Sequence, residues 1–219
     1  MRSKDSLKRD RKEAFRDARL VIVATEGDTE QVYLKALSAE YLNPRVHVLL
    51  LARENDESRN SNPAFVLEQL ESFKSTYALD QEDELWLVID RDRWTKKMLG
   101  LVARSCKQDK SLQMALSNPC FELWLILHLE DVVSLPFDEQ KRYLENKREK
   151  RRTDPYLKCR IRTLLGHYSE TNYDTNKLMP HVDMAVAQAR LMDINHEDRW
   201  PQSLGTRVYL LAESIMNKK

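Results

Sequence analysis

Three cysteines, Cys106, Cys120 and Cys159, are all the thiols in this 219-residue chain, and they lie far apart. An odd, scattered set argues against a disulfide framework and a CxxC metal knuckle, and points to a reducing cytoplasm. No run approaches the roughly 20 uncharged apolar residues needed to span a bilayer, so no membrane association is expected. The opening "MRSKDSLKRDRKEAFRDAR" is charged throughout and lacks the apolar core of a secretory signal. Internal repeats and low-complexity linkers are also missing. What is present is 42% hydrophobic and 32% charged residues, the balance of a soluble globular protein with a heavily charged surface. The length suffices for one substantial α/β domain with a helical addition.

Two kinds of segment alternate in the first half. "RLVIVAT" (19–25), "RVHVLLLA" (45–52), "ELWLVID" (84–90) and "LQMAL" (112–116) have the continuous apolar composition of strands buried on both faces. Between them lie helical stretches: 29–42 opened by Asp28 or Thr29, 62–77 with Pro63 at its first position, and 95–107 weakened by Gly100. A fourth, 118–130, is read with Asn118 as cap and Pro119 at the first position. This rhythm predicts an α/β fold, a Rossmann-like, mostly parallel sheet flanked by helices. After residue 130 no strand pattern is visible, and 137–152, 155–167, 176–195 and 203–217 read as helices. The resulting division is a basic N-terminal arm (1–18), a core (19–135) and a helical C-terminal region packed on it (136–219).

A net charge of +1 conceals local asymmetry. The segment "KRYLENKREKRR" (141–152) holds Arg148, Arg151 and Arg152 among its basic residues. It reads either as a solvated helix face or as a contact for nucleic-acid phosphate. The arm's Lys8, Arg9, Arg11, Lys12, Arg16 and Arg19 lean the same way, diluted by Asp10, Glu13 and Asp17.

In an open parallel sheet, ligands gather beyond the carboxyl ends of the strands. Acidic residues fall there: Glu26 and Glu30 after the first strand, Asp90 and Asp92 at the end of the third, and Glu122, with Ser117, after the fourth. Helix-end electrostatics or turn capping would explain each singly. Glu122, however, opens the nearly all-apolar "FELWLILHL", and Asp90 follows directly on "LWLVI". A carboxylate in such surroundings is costly unless a cation or donors receive it, and several together repel. A divalent ion would remove that repulsion, and all-oxygen ligation suits Mg²⁺ or Mn²⁺.

The order "EGDTE" (26–30), "DRD" (90–92) and the block "SNPCFELW" (117–124) resembles the Toprim domain of topoisomerases, primases and OLD-type nucleases. Its particular flavour is similar to the RloB family, a Toprim-type group associated with bacterial anti-phage loci. The resemblance is clear over 19–130 and extends to "GTRVYLLAESI" (205–215). It implies a divalent-metal-dependent nuclease acting on DNA or RNA, with Glu26, Asp90 and Asp92 catalytic. Glu26, Glu30, Asp90, Asp92 and Glu122 would hold Mg²⁺ or Mn²⁺ in a two-metal site, and Ser117 would accompany them. Gly27 would let the backbone approach a phosphate, and Arg91, Arg93, Arg148, Arg151 and Arg152 would grip the nucleic-acid backbone, with Arg91 and Arg93 reading equally as surface residues that neutralise the acids. Topoisomerases carry a third acid where Trp94 stands here, and no transesterifying tyrosine is identifiable, which argues against strand passage. Lys158 and Lys177 are candidates for the lysine that OLD-type nucleases place near the scissile phosphate. The family's loci often include an ABC-type ATPase, which makes such a partner an expectation.

The rival reading is a non-catalytic module of the same fold that binds nucleic acid or a partner. Nothing in the sequence separates a monomer from a homo-oligomer. His128 reads as a core histidine, His47 as a solvent-facing strand residue, and Cys120 as a helix-start thiol whose pKa could be lowered. The tryptophans read as packing residues, with Trp94 the best exception.

Overall fold

A computed structural model describes residues 18–52, 62–150 and 152–218 of the chain. The arm residues up to 17 and Arg151, both assigned roles from the sequence, lie outside the described residues.

The apolar runs form the strands expected of them: β1 (Arg19–Thr25), β2 (Val46–Leu50), β3 (Glu84–Asp90) and β4 (Leu112–Asn118). They alternate with helices α1 (Asp28–Glu40), α2 (Pro63–Thr76) and α3 (Lys96–Gln108). The sheet runs β2-β1-β3-β4-β7, with the first four strands parallel and the two-residue β7 (Gly205–Thr206) antiparallel against β4. The fold is therefore α/β with a mostly parallel sheet, as the sequence predicts, flanked by eight helices among the described residues.

Successive strand side chains point to opposite faces, which splits the core in two. Ile22, Ala24, Leu85, Leu87 and Ile89 pack with Val66 and Leu70 of α2 and Leu99 and Val102 of α3. Val21, Val23, Trp86 and Val88 face the other way, onto Tyr33, Leu34 and Leu37 of α1. That second layer continues through α4 (Glu122–Ile126), α6 (Tyr156–Leu165), α7 (Val182–Met192) and α8 (Val208–Met216). Helices of the C-terminal part thus share one apolar cluster with the sheet. Arg19 also ties α8 to the sheet, donating to Glu84 at 2.8 Å and to Ser214 Oγ at 2.9 Å.

Three readings beyond residue 117 need correction. Asn118 does not cap a helix: it is the last residue of β4, its amide donates to the carbonyls of Pro201 and Ser203, and the Asn118–Pro119 bond is cis. The helix begins at Glu122 and runs only to Ile126. The reading of 137–152 as one helix also fails, because α5 (Phe137–Glu145) ends at Asn146, whose φ of 43° is left-handed. The polar stretch after α6 is a small hairpin, β5 (Tyr168–Ser169) with β6 (Asn172–Tyr173), and β7 adds a further strand where none was predicted. At the other end, Gly27 rather than Asp28 or Thr29 occupies the cap of α1.

The topology fixes where a site can form. From β1 the chain crosses to β2 through α1 on one face, then returns past β1 to β3 and β4 through α2 and α3 on the other. Right-handed crossovers in opposite directions leave a crevice between β1 and β3 at their carboxyl ends. Glu26 and Asp90 stand at that crevice.

Candidate metal centre

The Glu26 backbone N–H donates to the Val88 carbonyl at 3.1 Å, which closes the turn after β1 onto β3. Its side chain is 3% exposed and accepts from the Asp90 N–H at 3.1 Å and from the Trp94 indole at 2.9 Å. Arg93 Nη1 stands 4.0 Å from the same carboxylate. Burial outweighs these donors and pushes the Glu26 carboxyl up to about 7.

Asp90 has the parity of Trp86 and Val88, so it turns toward the α1 and α4 layer. Its Oδ1 is buried and meets no hydrogen-bond partner among the described residues. Burial raises its pKa well above the ordinary range, and the charges of Glu30, Glu26, Glu122 and Asp92 raise it further. Asp92 is more exposed. Partial desolvation and Glu122 raise its pKa, while Arg93, Asn146 and Lys158 oppose them. The loops after β1, β3 and β4 therefore bring Glu26, Glu30, Asp90, Asp92 and Glu122 into one electrostatic neighbourhood.

Glu122 is 5% exposed; Tyr168 donates to its Oε1 at 2.9 Å, and Lys158 lies 4.0 Å from that oxygen. Gly27 has an unstrained, extended backbone, φ −133°. A Cβ on Gly27 would sit 2.7 Å from Glu30 Oε2, so that carboxylate would have to shift. The glycine leaves Glu30 its place beside the turn.

These residues suit a hard cation. The donors are carboxylate oxygens, one of them buried without a partner, and their mutual repulsion is what a divalent charge would relieve. Among the described residues no three His, Cys, Asp or Glu side chains form a ready ligand group for one ion. Mg²⁺ is compatible with that spacing, since it keeps several waters and takes one or two carboxylates together with substrate phosphates.

A family model described as RloB-like protein matches residues 21–215, most of the chain. The chain belongs to the RloB-like family. No curated protein and no solved structure matches it. The matched span takes in both the strand-end acids and the C-terminal residues that reach them.

Other residues singled out from this RloB-like sequence divide clearly. Ser117 is fully buried and bonds Thr206 Oγ1 at 2.8 Å, so its hydroxyl joins β4 to β7. Arg91 donates to the Trp94 carbonyl at 3.2 Å, while Arg93 is 54% exposed beside the acids. Arg148 and Arg152 are exposed and, among the described residues, pair with none of the carboxylates. Two of the segment's basic residues are neutralised internally, Arg142 by Glu139 and Glu149, and Lys147 by Glu145. Of the two candidate lysines, Lys158 reaches the cluster; Lys177 donates to the Leu165 carbonyl instead. Burial and the neighbouring acids push the Cys120 thiol up, opposite to the lowering considered for a helix start. His128 is the expected core histidine, bonded to Tyr33 OH at 2.9 Å and the Trp124 carbonyl at 2.8 Å, and His47 is exposed.

Trp94, the tryptophan singled out from the packing set, holds Glu26 through its indole. Three contributors were missed from the sequence. Asn146 donates to Cys120 Sγ at 3.4 Å from the left-handed turn after α5, and Tyr168 and Thr29 meet under Glu122. The only sequence signal was an asparagine positioned to end a helix; nothing marked the tyrosine.

Proposed function

We propose that this chain is a Toprim-type nuclease that hydrolyses phosphodiester bonds in DNA or RNA with the help of Mg²⁺ or Mn²⁺, in the anti-phage setting that the family resemblance implies. The carrying observation is Asp90: a buried, unpartnered carboxylate oxygen at the topological switch point, surrounded by four further acids whose charges all raise its pKa.

Asp90 and Glu26 would hold the cation, with Glu30, Asp92 and Glu122 around it. A bound divalent ion supplies Lewis acidity and a water of lowered pKa. Trp94 and the Asp90 N–H fix Glu26 in one orientation. Arg93 and Lys158 bring positive charge to the cluster from opposite sides of the chain, β3's loop and α6, where a phosphodiester would need it. The basic residues of 147–152 would add non-specific attraction for the nucleic-acid backbone.

The lack of a ready three-ligand group favours a second reading, a module that binds nucleic acid or an ABC-type ATPase partner without cleaving. One experiment separates the two. Purified protein with Mn²⁺ should cleave plasmid or RNA, and Asp90→Ala should abolish the cleavage. Undiminished activity in Asp90→Ala overturns the assignment; metal binding without cleavage, with and without the partner, favours the module.

A further inference from the structure

The hairpin β5–β6 lies outside the strand-end loops, yet it touches the acidic cluster in three ways. Tyr168 is 4% exposed and donates its hydroxyl to Glu122 Oε1 at 2.9 Å, while Thr29 Oγ1 meets the same hydroxyl at 3.3 Å. Its cross-strand partner Tyr173 donates to the Thr29 carbonyl at 2.7 Å, pinning the first turn of α1, the turn that carries Glu30. At the hairpin's tip, Glu170 pairs with Lys158, whose Nζ stands 4.0 Å from Glu122 Oε1. The rings of Tyr168 and Tyr173 contact at a centroid distance of 5.5 Å, so the two hydroxyls are held by one packed unit.

A buried carboxylate at a helix start can rotate unless a donor fixes it. Tyr168 and Lys158 both meet Glu122 at Oε1, and neither engages Oε2. A phenol with an ordinary pKa near 10 remains a donor throughout the neutral range. Partners of this kind orient ligands, and their loss typically costs 10–100-fold in metal affinity or activity.

We infer that Tyr168 is a positioning residue for Glu122, and that the β5–β6 hairpin is a support without which the acidic cluster does not present its carboxylates correctly to a divalent cation. This rests on the metal-centre reading above. It makes the C-terminal region a contributor to the site rather than a separate layer behind it.

The test titrates Mn²⁺ into the full chain by calorimetry, with thermal unfolding recorded in parallel. Tyr168→Phe keeps the ring packing and removes only the hydroxyl; it should weaken Mn²⁺ binding by about 10–100-fold. Tyr143→Phe is the control, since Tyr143 likewise bonds a carboxylate, Glu130, at 2.8 Å, but outside the cluster. It should leave Mn²⁺ affinity unchanged even if it lowers the melting temperature. Should Tyr168→Phe fail to fold, Glu170→Ala carries the test: it frees Lys158 to close on Glu122 and compete with the cation, weakening binding a few-fold. Wild-type affinity in Tyr168→Phe, or an equal loss in Tyr143→Phe, overturns the inference while leaving the metal centre standing. If Tyr168→Phe does not fold, wild-type affinity in Glu170→Ala overturns it in the same way. Absence of Mn²⁺ binding in the wild type removes both.

Discussion

Replacing Glu26 by glutamine should change how stability responds to pH. The folded-state pKa of Glu26 is raised from 4.5 to about 7, chiefly by burial. A carboxyl raised in this direction contributes stability that is fully present below 4.5 and is lost as pH rises through 7, because the folded protein binds a proton the unfolded chain has released. At about 1.4 kcal/mol per tenfold change in proton affinity, the loss is ~3 kcal/mol, or about 6–12 °C in melting temperature for a chain of this size. Glutamine cannot titrate, so it removes the effect. It also loses one acceptor, since the Trp94 indole and the Asp90 N–H use different oxygens, but that cost is independent of pH. His128 complicates a single profile: burial lowers its pKa to about 4, so it contributes stability that is lost as pH falls below its unfolded value of 6.5. His128 is present in both proteins and cancels in their difference. Urea unfolding of wild type and Glu26→Gln from pH 4.5 to 8, without divalent ions, should therefore show wild type losing ~3 kcal/mol relative to the variant. Saturating Mg²⁺ should shrink that loss. A flat difference, or wild type gaining with rising pH, would refute the electrostatic description of the cluster.

Three further outcomes are expected. Gly27→Ala puts a Cβ against Glu30 Oε2, and a flexible carboxylate can swing aside, so stability should fall by about 1 kcal/mol or less while Mn²⁺ affinity falls several-fold; calorimetry beside thermal melting checks both. Arg207→Ala removes the cation from Asp193, whose side chain is 2% exposed and takes two guanidinium hydrogen bonds at 2.9 and 3.1 Å, leaving it Tyr209 and His196, and should cost about 3 kcal/mol in denaturant unfolding. Asp90→Asn removes one charge from the repelling group and should raise the metal-free melting temperature while abolishing Mn²⁺ binding.

The sheet and its acids were legible because parallel strands buried on both faces leave uninterrupted apolar runs, and an acid at the end of such a run has few inexpensive explanations. Leu85–Ile89 followed by Asp90 carries both signals at once. What escaped were elements decided by tertiary contacts. Gly205–Thr206 is too short to show a period, and becomes a strand only because β4 lies open beside it. Asn118-Pro119 has the composition of a helix start, yet the Asn118 amide is claimed by the Pro201 and Ser203 carbonyls 83 and 85 residues away. Tyr168 and Tyr173 looked like loop aromatics because their partners, Glu122 and Thr29, are remote in sequence. The basic run 141–152 carries both of its readings: Glu139, Glu145 and Glu149 take up Arg142 and Lys147, while Arg148 and Arg152 stay exposed.

The most direct measurement is a crystal of the protein soaked in Mn²⁺ and recorded at the manganese absorption edge. An anomalous peak should appear in the crevice beyond β1 and β3, within about 2.0–2.2 Å of an Asp90 carboxylate oxygen, a typical distance for a small divalent ion. A fully soaked crystal with no peak there, or with manganese bound only elsewhere, would contradict the proposal that these carboxylates gather around a cation.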